Sequence, residues 1–348
     1  MKFPEVFKIQ GKSRKICRKG PMISSKPRRL QENACRFMET FSALPLEAIF
    51  DRMIQEKDRK MASIGFIGAG IVATALAVRL SERGYEILAV SSRSRASAEK
   101  LARRISNCRV AESNQEVASL TNLVFIVTSD DAIASVVDSV QWHQGQSVIH
   151  CNGAASTDLL EGARSAGAQV GCFHPLQTFA GLNEALENLP GSMFGIEAEE
   201  PLYSLLAKMA LDLEGRSIRL TASAKVLYHA AAVITSNYTV TLMKMATDLW
   251  GAFEVPAAEA TSALLPLLRG TVNNLAKVGL PHALTGPIAR GDIGTLRQHL
   301  VALQEQAPGV LGAYRQMGLQ TIPLALAKGT ISKETAGKMK ALLESQKN

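Results

Sequence analysis

Lys225, His229, Ser236 and Asn237 are polar residues within a stretch that is otherwise rich in Ala, Val, Ile and Leu. At about 3.6 residues per turn, a helix would place all four within roughly a third of its circumference. A buried ammonium is expensive unless it has a partner or a task, so the stripe predicts a helix face that lines a cleft. There Lys225 would act as a general acid whose charge also stabilises an oxyanion, while His229 and Asn237 would orient the substrate. In the alternative interpretation, Lys225 lies in water near the helix start and the other residues satisfy hydrogen bonds in the core.

Three further residues are candidates for binding a substrate. Arg290 lies in the loop 285–292 and could bind a carboxylate through two parallel hydrogen bonds, whereas Asp292 is expected to cap the helix that follows, 293–305. Asn274 belongs to a pair of Asn residues in a helical segment. His174 follows a predicted strand, at the position where open α/β sheets bind ligands. A structural histidine that hydrogen-bonds a loop is the alternative for His174.

A glycine-rich turn indicates which cofactor could work with these residues. Residues 64–73 read Ile-Gly-Phe-Ile-Gly-Ala-Gly-Ile-Val-Ala, an apolar run that breaks into a turn and continues as a helix. Gly68 permits the tight turn, Gly70 lets the backbone approach a pyrophosphate, and the small Ala73 lets the helix pack closely on the strand. The diphosphate of a dinucleotide would lie at the positive end of this helix. The cofactor contacts predicted for the turn are Gly68, Ala69, Gly70, Ile71 and Val72.

The end of the next predicted strand favours NADP over NAD. An NAD site usually carries an Asp or Glu here for the ribose hydroxyls, but this chain has Ser91, Ser92 and Arg93, with Arg95 close by. Small hydroxyls and a guanidinium suit a 2′-phosphate, although arginines on a solvated helix start are the alternative interpretation. Thr128 and Asn152 follow two later strands and are assigned to the same cofactor.

Short apolar runs alternate with helical patterns through the first part of the chain, which is typical of a parallel, doubly wound sheet. From Thr221 onward nearly every segment is helical. The predicted fold class is therefore α/β, with a doubly wound, mostly parallel Rossmann sheet followed by an all-α domain. Asp130 or Asp131 is expected to cap a helix that begins at Ala132, and a role at the edge of the cofactor is the alternative. The predicted strands after the glycine turn are 86–90, 109–111, 123–127, 147–150, 169–173, 192–197 and 217–220, and the predicted domains are a basic extension 1–60, a cofactor domain 61–220 with its core at 61–180, and a helical domain 221–348.

Composition excludes several classes of protein. The formal charge is +8, but residues 1–30 hold ten Lys and Arg against Glu5 alone, so the rest of the chain is close to neutral at −1. The basicity therefore belongs to the tail and gives no reason to expect a nucleic-acid partner for the body. For the tail we expect disorder or a misassigned start before Met61, with a targeting segment or a basic arm for an anionic partner as the alternatives.

Cysteine spacing and hydropathy give two further expectations. The five cysteines are odd in number and show no paired short spacing, so neither a metal site nor a disulfide framework is expected, and a cytoplasmic location fits. The longest apolar stretch, 226–245, contains His229, Asn237 and several Thr, which favours a buried helix over a membrane span.

The order of these motifs resembles a family of bacterial two-domain proteins within the 6-phosphogluconate dehydrogenase-like superfamily. In that family a Rossmann-like NADP-binding domain precedes an uncharacterised helical domain. Among relatives, 3-hydroxyacid dehydrogenases and ketopantoate reductase carry a Lys and, one turn later, an Asn, which Lys225 and His229 resemble with His in place of Asn. The Ser-Gly-Pro-Ala signature of pyrroline-5-carboxylate reductase is missing. The matching motifs are Gly-Phe-Ile-Gly-Ala-Gly at 65–70, His-Cys-Asn-Gly-Ala at 150–154, His-Pro-Leu-Gln-Thr-Phe at 174–179, Tyr228-His229 with Ser236-Asn237-Tyr238, and Leu284-Thr285-Gly286-Pro287 with Arg290-Gly291-Asp292.

The resemblance and the residues together predict an NADP-dependent oxidoreductase that reduces the carbonyl of a small, ketopantoate-like oxo acid. NADPH would supply the hydride, and the protein would orient the carbonyl and supply a proton. The alternative is a non-catalytic NADP sensor, and nucleic-acid binding through the tail is a third hypothesis. A homodimer is expected, because the apolar helix after Thr221 carries more hydrophobic surface than one small helical domain can cover, and because superfamily members pair through such helices.

Overall fold

The structure is a computed structural model that describes residues 62–345, so the prediction for residues 1–60 lies outside the described part. The chain divides into two compact units, with the division between Val226 and Leu227. Unit 1 thus contains the predicted cofactor domain, and unit 2 contains most of the predicted helical domain. The division falls six residues after the predicted boundary at 220, within a helix.

Unit 1 is built on one eight-stranded sheet in the order β3-β2-β1-β4-β5-β6-β7-β8. All neighbouring strands are parallel except β6 and β7, which are antiparallel. This confirms the predicted doubly wound, mostly parallel fold. The strands are β1 (Ser63–Ile67), β2 (Glu86–Ser91), β3 (Arg109–Val110), β4 (Leu123–Ile126), β5 (Ser147–His150), β6 (Gln169–Leu176), β7 (Met193–Ala198) and β8 (Arg216–Arg219).

Helices cover both faces of this sheet, which explains why its central strands are apolar on both sides. Every residue of β4 is buried. On one face, Phe66 stacks on Phe125 with ring centroids 5.2 Å apart, and Phe173 stacks on Phe194 at 4.6 Å. The helices of unit 1 are α1 (Ile71–Glu82), α2 (Arg95–Ala102), α3 (Asn114–Leu120), α4 (Ile133–Asp138), α5 (Glu161–Ser165), α6 (Leu182–Asn188) and α7 (Leu202–Asp212), with short 3-10 helices at Asp130–Ala132 and Thr157–Leu160.

Unit 2 is helical in all its regular elements among the described residues. The helix α8 (Ala222–Thr235) contains the division between the units, and the core of unit 2 is formed mainly by the last three helices. Asp292 caps α12 as predicted, because its carboxylate accepts the Thr295 N–H at 2.9 Å. The remaining helices are α9 (Asn237–Gly251), α10 (Ala257–Val278), α11 (Pro287–Arg290), α12 (Ile293–Gln306), α13 (Pro308–Lys328) and α14 (Lys333–Glu344).

Three local predictions are wrong. Asp130 and Asp131 lie inside a 3-10 helix that has no side-chain cap, so neither of them caps a helix starting at Ala132. The strand β6 continues to Leu176 because antiparallel β7 pairs with it over 171–176, and His174 therefore lies within the strand. The predicted single helix through 225–237 is two helices, since α8 ends at Thr235 and Asn237 begins α9.

Candidate cofactor site and the buried lysine

The glycine turn after β1 has the geometry that a bound dinucleotide requires. Gly68 adopts φ +112°, and a Cβ there would lie 2.2 Å from the Val127 carbonyl oxygen, so only glycine fits. Its N–H donates to the Ser91 carbonyl at 2.8 Å, which ties the turn to the end of β2. A Cβ on Gly70 would meet nothing within 4 Å, because this side of the turn is open. The turn therefore offers an exposed backbone surface on a rigid support.

The helix α1 begins directly at this open surface. Gly70 is its N-cap, and no side chain hydrogen-bonds the helix start, while Thr74 Oγ1 turns back to the Gly70 carbonyl at 2.8 Å. The first N–H groups of a helix have no partner within the helix and carry its positive dipole end. A pyrophosphate can accept hydrogen bonds from the N–H groups of Ile71 and Val72. The residues present thus fit the diphosphate of a dinucleotide.

The end of β2 has no carboxylate, as the sequence indicates. The Ser91 hydroxyl is buried and donates to Asn114 Oδ1 at 2.8 Å, so it joins the end of β2 to the start of α3. Ser92 is only half-buried, and Arg93 is exposed beside it. Arg95 is held by Glu112 at 2.8 Å, and the hydrogen bond and charge of Glu112 raise the pKa of this guanidinium. Ser92 and Arg93 are therefore the groups in this segment that are best placed to meet a phosphate.

A cluster of cations near the glycine turn is absent from the sequence-based predictions. Lys100, Arg103 and Arg104 line a cavity of about 500 Å³ together with Gly70 and Ile71. They follow one another at helical spacing around the end of α2, and this i, i+3, i+4 pattern is the signal that could have identified them. The cavity gives the glycine turn a positively charged wall.

Strand register aligns the predicted residues of unit 1 along one edge of the sheet. Five paired residues form an inner row across β2, β1, β4, β5 and β6: Ser91, Ile67, Ile126, His150 and Cys172. Two residues further along each chain segment lies an edge row, at the carboxyl ends of the parallel strands. This edge row is, in spatial order, Arg93, Ala69, Thr128, Asn152 and His174.

Four members of the edge row lie just beyond the ends of their strands, whereas His174 lies within β6. The members of the row were predicted separately, and the sheet order places them from Arg93, the predicted phosphate contact, through the turn to His174, the predicted substrate contact. Thr128 is half-buried, and its hydroxyl reaches the Ser129 carbonyl at 3.2 Å. The Asn152 side-chain oxygen accepts the N–H groups of Ala154 at 2.7 Å and Ala155 at 2.6 Å. The Asn152 oxygen therefore shapes the loop that follows β5.

His150, at the end of β5, was not predicted as a site residue. It is fully buried, accepts the Asn152 N–H on Nδ1 at 3.1 Å, and lies 3.2 Å from the Ser156 carbonyl through Nε2. Burial, then the charge of Lys225, lowers the pKa of His150 to about 3. The ring is therefore neutral at physiological pH. The signals in the sequence are its place beside Asn152 at the end of a strand and its position at the start of the motif 150–154.

Lys225 is buried rather than exposed to a cleft. Its side chain is 1% accessible, and Nζ lies 3.4 Å from Glu197 Oε2 on β7. Glu197 also accepts the Thr157 N–H at 3.3 Å and the Thr157 hydroxyl at 3.0 Å. Both interpretations of Lys225 from the sequence are corrected, because the side chain neither lines a cleft nor lies in water. The physical reason is that Glu197, distant in sequence, supplies the counter-charge.

The surroundings of Lys225 are otherwise neutral. Burial raises the pKa of the Cys172 thiol to about 11 and raises the pKa of Cys151 well above its ordinary value. With His150 also neutral, Glu197 is the carboxylate that balances the ammonium on this face of the sheet. Lys225 Nζ makes no hydrogen bond of good geometry within residues 62–345, so the pairing with Glu197 is electrostatic.

The candidates of unit 2 are spread over several helices. His229 is half-buried on α8, and Asn237 is exposed at the first position of α9. Asn274 is exposed on α10, and Arg290 is exposed at the last position of α11, before Gly291 with φ +71°. The structure thus places His229 and Asn237 on different helices, and it leaves the role of each a prediction.

Two family models match separate parts of the chain. Residues 63–153 match the model described as NADP oxidoreductase, coenzyme F420-dependent, and residues 192–321 match a domain of unknown function, DUF2520. No protein in the curated set is significantly similar to the chain in sequence.

Three solved structures are similar to the chain over most of its length. A candidate NADP oxidoreductase from Bacteroides fragilis is 25% identical, with a TM-score of 0.60 over 75% of this chain and 98% of its own. A protein from Thermotoga maritima is 21% identical, with a TM-score of 0.54 over 81% of this chain and 99% of its own. A reductive aminase from Aspergillus terreus, solved with NADPH and ethyl-5-oxohexanoate, is 19% identical, with a TM-score of 0.53 over 81% and 92%. The last two likenesses concern the fold.

The chain is homologous to NADP-dependent oxidoreductases. This confirms the class of enzyme and the cofactor that were predicted from the glycine turn and from the end of β2. The helical region that resembled an uncharacterised domain matches a family model of that kind.

Residues 62–345 lack two kinds of feature. None of the helices there is long and apolar enough to cross a membrane. In the same residues, no cluster of His, Cys, Asp and Glu is suited to hold a metal ion.

Proposed function

We propose that the chain is an NADPH-dependent reductase that acts on the carbonyl of a small, ketopantoate-like oxo acid in the cytoplasm. The order of the edge row supports this most directly, since groups suited to phosphate, to a dinucleotide turn and to a substrate follow one another along one edge. When bound, NADPH supplies the hydride. The protein contributes binding, orientation and a proton.

In this proposal the cofactor is held from three sides. The free N–H groups of α1 bind the diphosphate, and Ser92 with Arg93 binds the 2′-phosphate. Lys100, Arg103 and Arg104 attract the anionic cofactor to the glycine turn. Thr128 and Asn152 hold the end of the cofactor that faces the substrate.

The burial of Lys225 changes the assignment of the proton donor. An ammonium that is 1% accessible and paired with a carboxylate has no open path to a substrate carbonyl. We assign the proton donor to His229, one helical turn further along α8, and we assign Lys225 to fixing the start of that helix against β7. Asn237 and Asn274 orient the substrate, His174 contacts it from the edge row, and Arg290 binds its carboxylate.

The decisive experiment measures binding and turnover separately. NADPH affinity is measured by fluorescence, and oxidation of NADPH is then followed across a panel of 2-oxo and 3-oxo acids that includes ketopantoate. His229→Gln should keep NADPH affinity while it reduces kcat at least about tenfold, because general acid catalysis contributes at least this much. Unchanged kcat in this variant would rule out His229 as the donor.

A second candidate function is a non-catalytic NADP-binding module. The exposed positions of Asn237, Asn274 and Arg290 support it, since a side chain that is open to solvent is not held in place for a reaction. Tight NADPH binding without turnover of any oxo acid or imine in the panel would support the module and contradict the reductase.

We also propose a homodimer that pairs through α8, α9 and α10. Large apolar side chains are exposed along these helices, and in α10 only Ala260 is buried. Exposed apolar side chains in such number favour an interface. Light scattering should give twice the mass of the chain. For the variant Leu267→Asp on α10 it should give the mass of a single chain. The most exposed of these residues are Leu227 at 76%, Val240 at 70%, Leu267 at 69% and Ile234 at 62%.

A further inference from the structure

His150 connects the two ends of a short turn at the edge of the sheet. The Asn152 N–H donates to Nδ1 at 3.1 Å, and Nε2 lies 3.2 Å from the Ser156 carbonyl oxygen. Because Nδ1 accepts, the single proton of the neutral ring is on Nε2, which donates to Ser156. One side chain therefore holds residue 152 and residue 156 at once.

Only the neutral ring can make both hydrogen bonds, since an imidazolium has no acceptor. The groups that face the ring keep it neutral. Lys225 on α8 contributes a positive charge, and Glu197 on β7, which balances that ammonium, lies across Cys172 from the ring. Burial, then Lys225, and to a smaller extent His174 lower the pKa of His150 to about 3. The ring therefore stays in the form that supports the turn at every pH at which the protein is expected to work.

The turn that His150 holds carries a predicted cofactor residue. Asn152 lies in the edge row, and its side-chain oxygen accepts the N–H groups of Ala154 and Ala155. The hydrogen bond to His150 Nδ1 fixes the backbone N–H of Asn152, and the two hydrogen bonds from Ala154 and Ala155 fix its side chain. Together these bonds leave Asn152 with little freedom before any ligand arrives.

We propose that His150 is a positioning residue, which holds the turn 152–156 in its binding form and so sets the affinity for NADPH. This inference rests on the proposed function, because it assumes that Asn152 contacts the cofactor. A preorganised loop binds more tightly, since less conformational entropy is lost on binding. His150 itself is fully buried, so its effect on the cofactor is exerted through the turn.

The chemistry of the ring allows the two hydrogen bonds to be tested one at a time. His150→Asn keeps an acceptor near the position of Nδ1 and loses the donor, whereas His150→Gln keeps a donor near the position of Nε2. His150→Leu removes both. His143 lies in the loop before β5, whereas His150 ends that strand. His143 is exposed and contacts the Gln144 carbonyl at 2.8 Å, so His143→Gln is the matched control.

NADPH affinity is measured by fluorescence titration of the purified full chain, and hydrogen exchange of the amides 152–156 is measured without NADPH. We expect His150→Leu to bind NADPH at least about tenfold more weakly, because it loses two hydrogen bonds and each neutral hydrogen bond is worth roughly a factor of two to ten. His150→Asn and His150→Gln should lie between it and the native protein. The Asn152 amide should stay protected in His150→Asn and lose protection in His150→Leu. His143→Gln should match the native protein in both measurements.

Two results would overturn the inference. One is native NADPH affinity in His150→Leu. The other is equal loss of affinity in all three His150 variants, which would show that the hydrogen bonds are not what matters. Should His150→Leu fail to fold, the contrast between His150→Asn and His150→Gln in amide protection still decides. If the native protein does not bind NADPH, the proposed function fails, while the exchange data still show whether His150 holds the turn.

Discussion

The buried pair of Lys225 and Glu197 yields the sharpest prediction, because the Glu197 carboxylate has other hydrogen-bond donors and, within residues 62–345, the Lys225 ammonium has only this carboxylate. In Glu197→Gln the Lys225 ammonium, 1% accessible, loses its counter-charge 3.4 Å away. Breaking a buried ion pair from one side costs about 3–5 kcal/mol. We expect about 3 kcal/mol here, at the lower end, since the Gln oxygen can still accept a hydrogen bond.

Lys225→Met should cost less than Glu197→Gln. It leaves a carboxylate that is 14% accessible and that retains the N–H and hydroxyl of Thr157. The Met side chain also fills the space of the lysine stem. Replacing both charges removes the unpaired ion, so the double variant should be more stable than Glu197→Gln alone.

Scanning calorimetry of the full chain measures this directly. A loss of about 3 kcal/mol lowers the Tm of a unit of this size by roughly 6–12 °C. Asp248→Asn is the control, because it breaks the exposed Lys244–Asp248 pair at 2.7 Å and should change the Tm only slightly. The reasoning is refuted if Lys225→Met is as destabilising as Glu197→Gln, or if the double variant is the least stable of the three.

Three further predictions follow from the geometry. Gly68→Ala should abolish NADPH binding in a fluorescence titration, because the new Cβ would lie 2.2 Å from the Val127 oxygen, whereas Gly84→Ala, at φ +85° with nothing within 4 Å, should cost stability alone. Arg93→Ala should raise the KM for NADPH at least about tenfold and leave the KM for NADH nearly unchanged, as expected for loss of a charged hydrogen bond, and equal effects on both would contradict a contact with the 2′-phosphate. Acid should destabilise unit 1 progressively between about pH 6.5 and 3, because His150 takes up its proton near pH 6.5 in the unfolded chain and only at about pH 3 in the folded one. Urea titrations at several pH values measure the free energy of unfolding, and in His150→Gln this free energy should depend less on pH.

The sequence predicted the sheet and most of its strand ends because their signals are local. An apolar run, a glycine turn and a strand end are each read from a few consecutive residues, and parallel pairing then brings the strand ends to one edge. The positions of Ala69, Arg93, Thr128 and Asn152 followed from this.

The sequence could not place the residues whose setting depends on distant partners. Lys225 was interpreted from its apolar neighbours, yet Glu197, 28 positions earlier, decides that it is buried and paired. His174 lies in a strand because β7 returns antiparallel beside it. No Gly or Pro marks the break between α8 and α9 at Ser236. The spacing of apolar residues therefore predicted one continuous helix across it.

The exposure of α10 ties the stability of the molecule to its concentration. Among residues 62–345, this helix of 22 residues packs on α9 but fully buries only Ala260, so most of its surface lies in water. In the proposed homodimer a second copy covers that surface, so the law of mass action governs whether α10 stays helical. Dilution of the protein should then lower both the melting temperature and the helix content measured by circular dichroism. The rise in melting temperature that NADPH causes would therefore differ from one protein concentration to another.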